Sequence, residues 1–170
     1  MSLLNPRIRR TTYPDMEQGG RLYSVVALPK SQVTEVLTQE IRYPSAEQVS
    51  RMYRRLVEAT GGEHGYLSRS NLEYLLDTVK DVGERLPKKR AIIRKAAFLL
   101  YNVVVIHPFL NGNKRTAYEI AKSFLTFNGY TLQSDTADSY RFLLEVASGK
   151  ASEKEVEIWV ARHLMERKGD

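Results

Sequence analysis

Residues 90–115 read RAIIRKAAFLLYNVVVIHPFLNGNKR and are the most informative part of the chain about its fold. The first part of this stretch, residues 90–106, carries apolar side chains on every face. This pattern is typical of the buried central helix of a bundle. Pro108 disfavours helical backbone at His107 and therefore predicts that this helix ends there.

A second helix is predicted beyond the loop, over residues 114–128, with Gly129 as its C-terminal stop. Its predicted apolar face consists of Ala117, Ile120, Ala121, Phe124, Leu125 and Phe127. Residues 111–113 should therefore lie at a helix N-terminus. There the first backbone N–H groups have no intrahelical partner, and the helix dipole attracts anions.

The same loop brings together the residue types of a phosphate site. Gly112 allows a phosphate to approach the backbone closely, and Lys114 and Arg115 supply positive charge. His107 is a candidate general base one short loop earlier. A base beside an anion cradle is the minimal set for phosphoryl or nucleotidyl transfer, in which positioning and electrostatics provide most of the catalysis.

Each of these residues also has an ordinary structural interpretation. A His before Pro at a helix end is commonly a cap or a surface residue. Lys114 and Arg115 alone suit a solvated helix face, and Phe109 is expected in the core under either interpretation. The histidines at 64, 107 and 163 are scattered and no cysteine accompanies them, so they form no zinc pattern.

The nonapeptide 107–115 resembles the signature of the Fic/Doc (Fido) family, usually written H-P-F-x-D/E-G-N-G/K-R. The matching positions are His107, Pro108, Phe109, Gly112, Asn113, Lys114 and Arg115. Lys114 and the following Thr116 and Ala117 are most similar to the Doc (death-on-curing) branch. Residues 61–67 (GGEHGYL) resemble the Gly-rich flap of Doc-like proteins, and residues 124–130 (FLTFNGY) resemble the stretch after the motif helix. The resemblance extends over roughly residues 41–167.

The resemblance implies a role for each matching residue. His107 would be the general base that activates a Ser, Thr or Tyr hydroxyl of a target protein. Phe109 would anchor the loop in the core, and Arg115 would hold a terminal phosphate of the co-substrate ATP. The anion hole would be formed by Gly112, Asn113 and Lys114. A flap would hold the target segment by backbone pairing, through Gly62, Gly65, Tyr66 and Leu67.

Two positions depart from the family pattern. Asn111 occupies the place of the acidic residue that binds Mg²⁺, and Mg²⁺ favours carboxylates together with phosphates. Metal binding is therefore expected to be weak. Tyr118 occupies the place of an Arg that often follows the motif in adenylylating Fic enzymes. With Lys114, this departure favours Doc-type phosphate transfer over AMP transfer, and Asn111 motivates a third possibility, an impaired domain that binds nucleotide or protein without turnover.

Composition sets the outer limits. The chain has 170 residues, no cysteine and a formal net charge of +6, which suit a single domain without disulfides or thiolate chemistry. No apolar run has the length of a membrane span, and the N-terminus lacks the apolar core of a secretory signal. We therefore expect a cytoplasmic protein without a membrane partner. The positive charge favours acidic partners; nucleic acid is motivated by Arg7, Arg9 and Arg10 but is not favoured by the motif.

The first 40 residues form an N-terminal arm of unknown role, in which residues 21–28 could be a strand. Fic proteins often carry an inhibitory helix with the pattern S/T-x-x-x-E-G/N. Ser31 and Glu35 have its spacing, but Val36 breaks the last position, so we expect no internal inhibitor. Doc-like toxins are typically silenced by a separate antitoxin, and such an inhibitor protein is therefore an expected partner.

Helix boundaries follow from capping signals. Capping boxes are predicted at Ser45–Gln48, Ser70–Glu73 and Ser152–Glu155, and Pro87 and Asp135 mark two further helix starts. The last helix is predicted to carry Ile158, Trp159 and Leu164. The expected fold is all-α: a Fido-type bundle of about six helices over residues 41–170, with a short flap or hairpin and a partly extended N-terminal arm over residues 1–40.

Overall fold

The computed structural model of the protein describes residues 40–167. Within this range the helices and strands run in the order α1 (Ala46–Thr60), α2 (Arg69–Thr78), α3 (Lys88–Ile106), α4 (Asn113–Phe127), β1 (Tyr130–Leu132), α5 (Thr136–Ala147), α6 (Glu153–His163) and β2 (Leu164–Glu166). The predicted mainly helical class with six helices is confirmed. The basic arm, the strand over residues 21–28 and the Ser31–Glu35 pattern lie outside the described residues.

Helix α3 is the centre of the bundle. It contacts α2, α4, α5 and α6, and its contact with α4 is the most extensive between any two helices of the described range. Its buried residues lie on several faces, as predicted from the apolar run, and they are Ala91, Ile92, Lys95, Ala96, Ala97, Leu99, Leu100, Val103 and Val104. Among the helices in residues 40–167, the loop that follows α3 is therefore attached to the one with the most extensive packing.

Local capping signals correctly place most helix starts. The Ser45 hydroxyl accepts the Gln48 N–H at 3.2 Å, and the Gln48 side chain accepts the Ser45 N–H at 2.8 Å. Ser152 and Glu155 form the same reciprocal pair at the start of α6. Asp135 caps α5 through the Ala137 N–H. Each cap pairs backbone donors that a helix start leaves without intrahelical partners.

The predicted start of α2 is wrong. Ser68, not Ser70, is the N-cap, and its hydroxyl accepts the Asn71 N–H at 3.2 Å. The reason is tertiary: the Ser68 N–H donates to the carbonyl of Pro108 at 3.1 Å, which holds Ser68 in extended backbone and starts the helix one residue later. Glu73 pairs with Arg69 instead, at 3.1 Å.

A small antiparallel sheet was not predicted. Strand β1 pairs with β2, with Thr131 opposite Met165 at the centre of the register. Leu164 therefore lies in this strand, and the prediction that it belongs to the last helix is wrong. Phe127, which is predicted to lie on the apolar face of its helix, is 40% exposed. Ile158 lies in the last helix, as predicted, and is 42% exposed.

No helix in residues 40–167 combines the length and the apolar character needed to cross a membrane.

Candidate active site

The loop between α3 and α4 begins and ends in left-handed backbone. His107 follows the last residue of α3 with φ 52° and ψ 59°, and it is the one non-glycine residue with positive φ in the described range. Gly112 precedes α4 with φ 72° and ψ 17°. These two conformations reverse the chain between two packed helices. The exposed residue His107 thus stands at the beginning of the loop, and the N-terminus of α4 follows its end.

Phe109 anchors this loop, as the sequence predicted. Its side chain is fully buried, and its ring stacks on Tyr53 of α1 at 4.1 Å between centroids. Asn113 holds the backbone of the same residue from the other side. Its Oδ1 accepts the Phe109 N–H at 3.0 Å, and its Nδ2 donates to the Phe109 carbonyl at 2.7 Å. The loop is therefore held at its centre by packing and by two buried hydrogen bonds.

These bonds limit what Asn113 offers to a ligand. Both polar atoms of its side chain are engaged by Phe109, and the residue is buried. Its backbone N–H remains as the first donor of α4, a helix that no side chain caps within residues 40–167. An anion at this helix start would therefore meet backbone donors and not the Asn113 side chain.

The positive charge at this end of α4 is not neutralised by described carboxylates. Lys114 is half-buried, Arg115 is exposed, and neither forms an ion pair with any residue in the range 40–167. Two free cations, an uncapped helix start and the helix dipole act in the same direction. The predicted cradle residues thus combine into an electropositive site, while their contact with phosphate remains a prediction.

The predicted flap lies against this loop. The Leu67 N–H donates to the Pro108 carbonyl at 2.9 Å, and the Leu110 N–H donates to the Gly65 carbonyl at 3.0 Å. Tyr66 faces Phe109 in an isolated antiparallel bridge. The prediction allowed either a flap or a hairpin. The segment does not form a hairpin with itself; it pairs with the motif loop.

Tyr53 joins the flap to the motif, and sequence reasoning missed it. Its hydroxyl donates to the Gly65 carbonyl at 2.9 Å and accepts the Gly65 N–H at 3.2 Å, while its ring packs on Phe109. The exposed ring of His64 lies 5.0 Å from the Tyr53 ring. The available signal was only an aromatic residue on the apolar face of α1, which indicates core packing and not a role at the loop.

Asn111 contacts the flap segment directly. Its Nδ2 donates to the carbonyl of Glu63 at 3.1 Å, and both residues are exposed. The carbonyl can only accept, so the nitrogen of the amide must face the flap. Position 111 thus connects the motif loop with a segment 48 residues earlier in the chain.

A polar cavity opens one helical turn farther along α4. Its volume is about 480 Å³, and residues from α4, β1 and the start of α5 line it. The Tyr118 hydroxyl lies 3.1 Å from the Ser134 hydroxyl, which in turn pairs with that of Ser139. Tyr118 lies three residues after Arg115, which is about 4.5 Å along a helix axis. Tyr118 is thus the lining residue of this cavity that lies closest along the chain to Arg115.

Comparison with known proteins agrees with this geometry. The model of the Fic/DOC family matches residues 43–125, a range that includes α1, the flap segment, the motif loop and most of α4. Residues 43–125 are thus similar to the Fic/DOC family, whose domains typically carry out nucleotide-dependent modification of proteins as transferases. No curated protein matches the chain.

The family generally uses ATP together with Mg²⁺. The donors near Asn111 do not fit the metal. Asn111 carries no charge, its amide nitrogen faces the flap, and no group of three His, Cys, Asp or Glu side chains in residues 40–167 could hold a metal ion. Mg²⁺ sites at phosphates normally use one or two carboxylates. ATP phosphates, in contrast, suit the free backbone donors and the two cations at the start of α4.

Proposed function

We propose that this protein transfers a phosphate-containing group from ATP to a Ser, Thr or Tyr hydroxyl of a target protein, and that the group is a phosphate, as in the Doc branch. This proposal rests on the loop held at Phe109, with exposed His107 at one end and the uncapped, electropositive start of α4 at the other. The match to the Fic/DOC family supports the same reaction class.

In this mechanism His107 takes the proton from the attacking hydroxyl. The backbone N–H groups at Asn113 and Lys114 and the side chains of Lys114 and Arg115 bind the phosphates and stabilise the charge that develops during transfer. Gly112 leaves the approach to these donors open. Because the loop is attached to α3, the distance between His107 and the phosphate-binding groups stays fixed. Such positioning lowers the entropic cost of bringing the reacting groups together.

The preference for phosphate over AMP rests on Lys114 and Tyr118. Tyr118 replaces an Arg of adenylylating relatives, and its hydroxyl is engaged with Ser134 at 3.1 Å. A neutral phenol in this pairing offers no charge to a terminal phosphate. AMP transfer is the alternative, in which the same base and cradle act on the α-phosphate.

Asn111 favours a second candidate function, a domain that binds nucleotide or protein without turnover. Its uncharged side chain offers Mg²⁺ no carboxylate, and its amide nitrogen is already bonded to Glu63. A domain without the metal would keep the cradle and lose much of the charge stabilisation that drives transfer.

Transfer is tested with ATP labelled at the α- or the γ-phosphate, incubated with purified protein in a cell lysate that contains Mg²⁺ or Mn²⁺. His107→Ala should abolish labelling. His163→Ala is the matched control, because His163 lies at the end of α6, where its Nδ1 contacts the Trp159 carbonyl at 2.8 Å. Protein labelled from the γ-position supports phosphate transfer.

The other outcomes discriminate among the alternatives. Label from the α-position would show AMP transfer and refute the preference for phosphate. If wild type transfers neither label but Asn111→Asp does, the natural protein is a metal-impaired transferase. If no variant transfers label, the binding function replaces the proposed one.

A separate inhibitor protein is the second proposed partner, by analogy with the antitoxins of Doc-like toxins. Expression of the active protein alone should slow growth of the host, and His107→Ala should relieve this effect. Co-expression with the inhibitor should restore growth to the wild-type protein as well.

A further inference from the structure

We propose that Asn111 is a positioning residue that fastens residues 61–67 to the motif loop, and that position 111 serves this contact in place of metal binding. The two halves of the segment are attached differently. Its second half is fixed by the main chain, through the pairs Leu110–Gly65 and Leu67–Pro108, and by the Tyr53 hydroxyl. These bonds do not depend on Asn111.

The first half of the segment depends on one side chain. Among residues 40–167, the bond from Asn111 Nδ2 to the Glu63 carbonyl is the one hydrogen bond that ties residues 62–64 to the rest of the domain. The ring of His64 also lies near two aromatic rings, that of Tyr53 at 5.0 Å and that of Tyr66 at 6.3 Å between centroids. Loss of the Asn111 donor would therefore release this half while the second half stays in place.

The backbone at Gly62 is shaped for this contact. Its φ is 119°, which residues with side chains rarely adopt. A Cβ built at Gly62 would lie 3.6 Å from the Cβ of Asn111, so the main chain at Gly62 runs beside the Asn111 side chain. The close approach and the hydrogen bond thus occur at the same place.

The chemistry of the amide explains why an acidic residue cannot replace it. An ionised Asp has acceptors only and would face the Glu63 carbonyl without a donor, whereas Asn supplies two N–H groups. At this position a metal-binding carboxylate and the contact with Glu63 are mutually exclusive at neutral pH. In this protein the contact with Glu63 is the one that is formed.

Fastening the segment has a consequence for binding. A chain segment that is already ordered beside the motif loop loses less conformational entropy when a target peptide pairs with it. Asn111 would act through the segment and not on the reacting atoms.

The test uses the full-length protein and two readouts that need no transfer activity. The first is the rate at which a Glu-specific protease cuts the Glu63–His64 bond, because cleavage requires local release of residues 62–64. The second is the proton NMR spectrum of the His64 ring, whose shifts report its proximity to the Tyr53 ring, 5.0 Å away between centroids. With three histidines in the chain, assignment by single substitution is direct.

We expect Asn111→Asp and Asn111→Leu to raise the cleavage rate about fivefold, the factor that corresponds to a net hydrogen bond of about 1 kcal/mol. Both should move the His64 ring shifts towards those of an unstructured peptide. Asn111→Gln, which keeps an amide donor, should stay close to wild type in both readouts. Asn102→Asp is the matched control, because Asn102 Nδ2 also donates to a backbone carbonyl, that of Phe98 at 2.9 Å, but within α3.

Two results would overturn the proposal. One is wild-type cleavage and His64 shifts in both Asn111→Asp and Asn111→Leu, measured on protein whose urea unfolding midpoint is unchanged. The other is binding of Mg²⁺, titrated as MgCl₂ alone, that wild type shows and Asn111→Leu loses. Because neither readout involves ATP, failure here leaves the proposed transfer reaction standing, and failure of that reaction leaves this contact standing.

Discussion

At the scale of single residues, His107 combines the side chain proposed as general base with an unfavourable backbone conformation. Its φ of 52° lies in the left-handed region, and it precedes a proline. Left-handed backbone costs L-residues about 1–2 kcal/mol. Such conformations persist where the surroundings determine them, and here buried Phe109 and the end of α3 do so. If stability alone mattered, glycine would be favoured at position 107, because it adopts left-handed backbone without a steric cost.

This argument predicts a difference between two inactive variants. His107→Gly should be more stable than His107→Ala by about 1 kcal/mol, because glycine adopts the left-handed region without a steric cost. Urea unfolding of the two purified variants measures the difference directly. An Ala variant as stable as the Gly variant would show that the backbone at position 107 is not strained.

At the scale of elements, the end of α2 is capped by a side chain of α3. Lys95 is 2% exposed, and its Nζ donates to the carbonyls of Val79 at 2.9 Å and Lys80 at 2.6 Å. A cation at a helix C-terminus also opposes the negative end of the dipole. Burial lowers the pKa of Lys95, and the carboxylates of Asp81 and Glu84 offset part of that effect.

Lys95 therefore predicts a pH dependence. Because its pKa is lower in the folded state than in the unfolded state, the unfolded chain binds more protons between the two values, and the free energy of unfolding rises with pH in that window. Measured against Lys95→Met, the advantage of wild type should be about 2 kcal/mol at pH 7, since two carbonyls lose a donor, and should grow as the pH rises towards 10.5, the ordinary pKa of a lysine.

The pH series needs a control for the other groups that titrate there. Burial raises the pKa of Tyr43, whose ring lies 5.5 Å from the Lys95 Nζ, so deprotonation of this phenol acts in the opposite sense above its ordinary pKa of 10.0. Tyr43 is present in both proteins, and exposed Lys150→Met serves as the matched substitution. An advantage over Lys95→Met that shrinks from pH 8 to 10 would contradict the assignment.

At the scale of the whole molecule, residues 41–170 form a compact unit with its own core. The backbone near each end of this unit is hydrogen-bonded to a distant part of the chain, at the first end by the side chain of Asn128. Asn128 accepts the Arg42 N–H at 2.9 Å and donates to the Arg42 carbonyl at 2.8 Å. The β1–β2 pair fastens the segment after α6. Every member of the described core cluster lies within this unit.

We therefore expect a fragment of residues 41–170 to fold on its own. It should show one cooperative urea transition with coincident fluorescence and circular dichroism signals. Trp159, stacked on Phe142 at 4.9 Å, supplies the fluorescence signal. A broad transition without cooperativity would mean that the first 40 residues contribute to the core of the native protein.

Features that depend on near neighbours could be read from the sequence. The N-terminal starts of α1, α5 and α6 follow from Ser45, Asp135 and Ser152, because an N-cap side chain bonds to backbone within three residues of itself. The apolar run before Pro108 indicated the central helix, and the motif indicated the loop, its anchor Phe109 and the start of α4. Both the fold class and the place of the candidate site are thus properties of short segments.

Features that depend on distant partners were decided by the tertiary structure. Strand β2 forms because it meets β1, Ser68 becomes a cap because Pro108 accepts its N–H, and Asn111 meets Glu63 across 48 positions. A three-residue strand or a single amide has no periodicity from which its partner could be inferred. The residues that form the loop can therefore be identified from local sequence alone, whereas the carbonyls and hydroxyls that hold it depend on how distant segments pack.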